Sequence, residues 1–172
     1  DILKEEENDL KEREDKIKAI LPELKKLREI NKEEQEANIY SGYKGIRSLL
    51  NNLLQELKDG GEYYVFGAEG GMREVLGPFF TLYQKQKAKF KIKSKVIFGE
   101  KARKTKLLEE YKGDARFIPS EFSSPTDTFI YDDKIIIFIW NEKPPFAVLI
   151  KNKSTAQSYK NYFRVLWKSA TQ

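Results

Sequence analysis

Hydrophobic positions in the first part of the chain recur every seven residues, at Leu3, Leu10, Ile17 and Leu24. Ile20, Leu21 and Leu27 widen the stripe downstream, while Glu6 and Arg13 occupy the second apolar position of the first two heptads. Glutamate and lysine fill most of the remaining positions. This is a heptad seam, and one helix cannot bury such a stripe alone. It predicts a long helix pairing in parallel with a second copy through Leu3, Leu10, Ile17 and Leu24. An amphipathic helix lying on its own domain is the other arrangement the pattern allows. Pro22 predicts a kink or restart. The heptad is already under way at Asp1, which points to a segment before it.

Beyond a polar stretch around Asn31–Asn38 the periodicity changes. Asn38–Tyr40 reads as a short strand, with Gly42 and Gly45 in a turn. Ile46, Leu49, Leu50, Leu53, Leu54 and Leu57 mark an amphipathic helix, closed by Asp59-Gly60-Gly61. Tyr63–Phe66 is a strand of buried type. Met72, Val75, Leu76, Phe79, Phe80 and Tyr83 predict a second helix, kinked at Gly77-Pro78. Ile92–Phe98 reads as a strand, Ala102–Tyr111 as a third helix, and Arg116–Ile118 as a short extended piece. Asp132-Asp133 sits between Thr128–Tyr131 and Lys134–Trp140 as a hairpin turn. Phe146–Ile150 is a further strand. A final helix, capped by Ser154, carries Ala156, Tyr159, Phe163, Leu166 and Trp167 on one face. The alternation predicts two regions: a helical linker over 1–36, and over 37–172 a three-layer α/β domain, mostly parallel with an antiparallel portion.

Composition narrows the chemistry. The chain has neither histidine nor cysteine. That removes Ser-His-Asp triads, Cys-His pairs, disulfides and ordinary zinc sites. We therefore expect no enzyme activity and no cofactor. No apolar run is long enough for a membrane span, no signal peptide is visible, and a cytoplasmic location is expected. Residues 1–36 carry 13 acids and 9 bases, a net −4, and the remaining 136 carry 14 acids and 23 bases, a net +9. A basic body attracts anions or nucleic acid; it is also what a lysine-rich solubilising surface looks like, and the lysines are scattered along the sequence rather than interleaved with aromatics.

Three groups of residues carry candidate chemistry. Gly67-Ala68-Glu69-Gly70-Gly71 links a strand to a helix, where backbone amides can hold an anion. It matches neither the dinucleotide nor the P-loop pattern, and Glu69 repels phosphate; it is a ligand-contacting loop or a plain turn. Asp127, Asp132 and Asp133 gather around the hairpin in sequence. They are candidate ligands for a hard cation, and through it for metal-dependent phosphodiester cleavage, although aspartates are common in turns. Arg116, at the start of a short strand, is placed to clamp a carboxylate or phosphate, or to form a salt bridge.

Several short stretches, in order, resemble one family. Ile39-Tyr40-Ser41-Gly42-Tyr43-Lys44-Gly45-Ile46 is similar to its x-Y-x-G-x-x-G-I opening. Tyr64–Ala68, Arg116-Phe117-Ile118-Pro119 and Ile130-Tyr131-Asp132-Asp133-Lys134 resemble later motifs, as does Ala147–Asn152 followed by Tyr159, Tyr162-Phe163 and Leu166-Trp167. The family is the TrmB-like transcription regulators common in archaea, and the resemblance covers residues 15–170. It implies a winged helix, here absent, then a coiled-coil linker, then a three-layer phospholipase-D-like sandwich with a mixed, largely parallel sheet and an antiparallel hairpin. It implies a homodimer that reaches DNA indirectly through the absent domain, and a body that binds a small-molecule effector or only dimerises. Phospholipase D enzymes use H-x-K-x-x-x-x-D, with the histidine as nucleophile. The matching positions here are Thr126, Thr128 and Asp133, so phosphohistidine chemistry is excluded. Topology makes Tyr40, Gly42, Gly67, Glu69, Arg116 and Trp140 the candidate effector contacts.

Overall fold

The computed structural model describes residues 2–122 and 124–172, without the side chains of residues 2, 3, 5 and 30–34. Leu3, the first seam position, thus has its side chain outside the described residues. The chain divides into Asp1–Glu36 and Ala37–Gln172. The first unit holds α1, Ile2–Glu34, which contains Pro22 without ending there. Ion pairs one turn apart line its surface, Asp9–Arg13 at 2.9 Å and Glu14–Lys18 at 2.8 Å. Such exposed pairs each add only a few tenths of a kcal/mol. The apolar stripe stays in solvent, from 43% exposure at Leu21 to 66% at Leu10. That is a large unburied seam for a stable helix.

The second unit is an α/β domain around one seven-stranded sheet in the order β1-β7-β6-β5-β2-β3-β4. The strands are β1 Glu36–Ser41, β2 Glu62–Ala68, β3 Lys93–Gly99, β4 Asp114–Ile118, β5 Thr126–Tyr131, β6 Lys134–Ile139 and β7 Phe146–Lys151. Pairs β2·β3 and β3·β4 are parallel, whereas β2·β5, β5·β6 and β6·β7 are antiparallel. The sheet is therefore mixed, and the largely parallel sheet expected from the sequence is corrected. Helical segments connect β1 to β2, β2 to β3 and β3 to β4, and only the last two of these connections join neighbouring parallel strands. Strands β5, β6 and β7 follow one another through short loops, which force antiparallel neighbours.

Helices cover both faces. On one lie α2 (Gly42–Leu57), α3 (Gly71–Leu76), α4 (Pro78–Lys89) and the single-turn α5 (Leu107–Glu110). Ile46, Leu49, Leu50, Leu53, Leu54 and Leu57 of α2 pack there with Tyr63, Val65, Val96, Phe129 and Phe138. On the other face α6 (Lys153–Ser169) packs Phe163 on Ile97 and Ile130. Strand residues alternate between the two cores, as a doubly covered sheet requires.

Several local expectations change. Gly42 and Gly45 belong to α2 rather than to a turn before it. The expected second helix is two, broken at Gly77 (φ 51°) ahead of Pro78. The third reduces to a 3-10 stretch Glu100–Lys104 and α5. Asn152, not Ser154, caps α6, its side-chain oxygen accepting from the Thr155 N–H at 2.8 Å. Asparagine caps helices at least as well as serine.

Candidate functional site

Strand β5 sends alternate side chains to opposite faces, and a candidate site forms on each. On the α6 face, Thr126 and Thr128 border a cleft of about 500 Å³ with Gly67, Ser124 and Ser169. Gly67 has φ +83° at an irregularity in the β2 register, and a Cβ there would stand 2.6 Å from the Thr126 carbonyl oxygen. Only glycine fits this approach. The hydroxyls of Ser124 and Thr126 bond each other at 2.7 Å. Among the described residues no ionisable side chain lines the cleft. It offers hydroxyls and carbonyls but no base to activate them. Asp133 lies beyond the far end of β5, roughly 17 Å of strand away. There it bonds Lys134 at 3.1 Å. Partial burial raises its carboxyl, but the Lys134 hydrogen bond and charge outweigh that and leave it below the usual range.

On the opposite face Asp127, Glu69 and Trp140 border a second cleft of about 250 Å³. Asp127 is 4% exposed. Burial pushes its carboxyl up to about 7, the Trp140 indole opposes this, and the charge of Glu69 adds to it. Glu69 Oε1 and Trp140 Nε1 are buried and complete no hydrogen bond. Gly71 permits this crowding, since a Cβ there would sit 2.5 Å from Trp140 Cδ1. The group can hold and exchange a proton near neutral pH, and it presents an N–H donor and carboxylate acceptors to a guest.

The six candidate effector contacts thus fall into separate places. Glu69 and Trp140 come together, through Asp127. Gly67 faces the other cleft. Arg116 turns to its own fold: Nη1 donates to the Trp167 carbonyl and the guanidinium lies 4.6 Å over the Trp167 ring. Tyr40 and Gly42 stand by the β1 edge, where the Gly42 N–H donates to the Pro145 carbonyl at 2.7 Å. Asp127, Asp132 and Asp133, the alternative cation ligands, do not come together. Asp127 is the second residue of β5 and the other two form the turn at its distal end, with Asp132 at φ 44°. No group of three acidic ligands occurs among the described residues.

One buried group escaped the sequence reading. Lys87 of α4 is 1% exposed, and its Nζ donates to Ser94 Oγ at 2.7 Å. Ser94 Oγ bonds Tyr111 Oη at 2.9 Å, and Nζ lies 4.7 Å from the Tyr111 ring centre. Burial alone lowers the amine from 10.5 to about 7. It also pushes Tyr63 up to about 12, and Tyr83 and Tyr111 upward. A signal existed: Phe80, Tyr83 and Lys87 share one helical stripe, which ends on a lysine.

No protein-family model matches the chain, and no curated protein sequence matches it. Solved structures do. TrmBL2, an archaeal chromatin protein whose structure shows a novel mode of DNA binding, aligns over 95% of this chain and 67% of its own, with 15% identity and a TM-score of 0.51. NucT from Helicobacter pylori aligns over 80% of this chain and 99% of its own, with 16% identity and a TM-score of 0.56. At these identities what is shared is the fold. No helix among the described residues is long and apolar enough to cross a membrane.

Proposed function

We propose that this chain is the coiled-coil linker and catalytically inactive phospholipase-D-like body of a TrmB-like transcription regulator. In this reading it pairs two copies so that DNA readers joined to α1 sit at a fixed spacing. The observation that carries the reading is the extent of the TrmBL2 likeness. It takes in 95% of the chain, more than the 136-residue body, so it reaches into α1. The unburied heptad stripe of α1 supports pairing, because four or more apolar side chains in solvent gain most by packing into a partner's seam. Inactivity is supported by Thr126 and Thr128 at the positions of the phospholipase D histidine and lysine, in a chain without histidine.

A small effector, where one binds, is best served by the Glu69–Asp127–Trp140 cleft. Its buried Glu69 carboxylate oxygen completes no hydrogen bond and gains one from a polar guest. Sedimentation of the wild type against Leu10→Lys/Ile17→Lys/Leu24→Lys tests the pairing. A dimer reduced to monomer by the triple substitution is expected; a wild-type monomer at high concentration would sink the proposal.

A further inference from the structure

Three of the body's basic side chains stand in a row along one flank of α6, with a fourth on β3. Helix α6 has no acidic residue in its 17 positions, and no acid follows Glu142. Lys160, Arg164 and Lys168, each four residues apart, line a groove of about 200 Å³ that they share with Lys95, Tyr64 and Trp167. Among the described residues no carboxylate lies within ion-pair distance of those three α6 cations. Their hydrogen bonds go to neutral groups, from Lys160 to the Asp132 carbonyl at 2.8 Å and from Arg164 to Asn161 Oδ1 at 3.1 Å. Acids border the groove at both ends: Asp132, whose carbonyl takes Lys160, stands at one, and Glu62 and Asp114 at the strand end. Glu62 takes the Tyr64 hydroxyl at 2.7 Å and lies 3.9 Å from Lys95. The β3·β4 register sets Asp114 beside Lys95.

We infer that this flank of α6 is a docking surface for the phosphate backbone of duplex DNA, so that the body touches DNA itself. The cation row rises about 12 Å along the helix axis. That length of duplex carries about seven phosphates, enough for each cation to find its own. Single strands are disfavoured because they bind by stacking bases on open aromatic faces. The groove's aromatic rings are already engaged: Trp167 has Arg116 over its ring at 4.6 Å and Phe163 stacked at 5.5 Å, and Tyr64 tilts on Phe163 at 5.0 Å. Anionic membranes are disfavoured because the main apolar face of α6 is committed to the sheet. Base edges are not contacted in this arrangement, so binding is independent of sequence.

The test is fluorescence anisotropy of a short labelled duplex of arbitrary sequence against salt, with the 172-residue chain. Wild type is compared with Arg164→Ala/Lys168→Ala and with Lys44→Ala/Lys58→Ala, which removes the same charge from exposed positions at α2 on the other face. Circular dichroism melts confirm that both variants fold. The α6 pair should lower the slope of log K against log salt by about 1.8, and weaken binding about 60-fold near 0.1 M salt at an unchanged intercept. The α2 pair should change little. The inference is overturned if wild type shows no salt-dependent duplex binding, or if the two variants lose affinity equally. It is also overturned if single strands or anionic vesicles, in place of duplex, bind in an α6-dependent way.

Discussion

Lys87 makes the protein's stability depend on pH in a range where few other groups change. Its amine titrates near 7 in the fold and near 10.5 when unfolded, with burial as the cause. Folding therefore excludes a proton that the unfolded chain keeps between those values. The cost is absent above about pH 10.5, grows as pH falls, and is complete below about 7. At 1.36 kcal/mol per pH unit the full cost is about 5 kcal/mol, and about 3 kcal/mol of it lies between pH 7 and 9.5. The assay is urea unfolding across that range for wild type and Lys87→Met. The methionine is one atom shorter, unbranched and uncharged, and Ser94 Oγ keeps Tyr111 as partner. Wild type should gain about 3 kcal/mol from pH 7 to 9.5, while the variant stays flat and is the more stable at pH 7. Parallel pH profiles for the two proteins would refute the assignment, since the slope would then come from elsewhere.

Asp127 acts with the opposite sign. Its carboxyl is raised from 3.8 to about 7, so wild type loses stability as pH climbs through that window, by up to about 4 kcal/mol, and Asp127→Asn should remove the loss in unfolding curves at pH 4 and 7. Gly67→Ala forces an alanine to φ +83° against a carbonyl oxygen, so a drop of about 2 kcal/mol or more in unfolding free energy is expected, with a null effect telling against the close approach. Leu50→Ala empties a fully buried site in α2 and should cost about 2–5 kcal/mol in the same measurement.

The helical stripes carried most of what the sequence revealed. The six leucines and isoleucines of α2 and the aromatic face of α6 both read as amphipathic helices and both occur, because each must bury a face on the sheet. Sheet order was less legible. Nothing local in Thr126–Tyr131 says that it lies antiparallel to β2, far earlier in the chain. Asp127 shows the same limit at the site. Grouped by sequence with Asp132 and Asp133, it stands near the opposite end of β5 from them and on the face that meets Glu69 and Trp140. Glu69 and Trp140 were chosen as residues beyond strand ends, and that rule does bring them together. Arg116 lies outside that rule, since it stands within β4, and its guanidinium is held by Trp167. The i, i+4 spacing of Lys160, Arg164 and Lys168 and the lack of acids in α6 are legible in the sequence, but the groove they share with Lys95 of β3 needs the fold.

The pairing of α1 is the claim on which the functional account stands, and the absence of native cysteine makes it directly measurable. Ile17→Cys places a thiol on the seam, and Asp15→Cys places one on the opposite side of the helix. In a parallel, in-register pair the two seam positions approach within disulfide reach, about 4.4–6.8 Å between Cα atoms. Mild oxidation should convert Ile17→Cys into a species of twice the 20.1 kDa chain on a non-reducing gel and leave Asp15→Cys uncrosslinked. No dimer from Ile17→Cys, or equal crosslinking at both positions, would contradict the account.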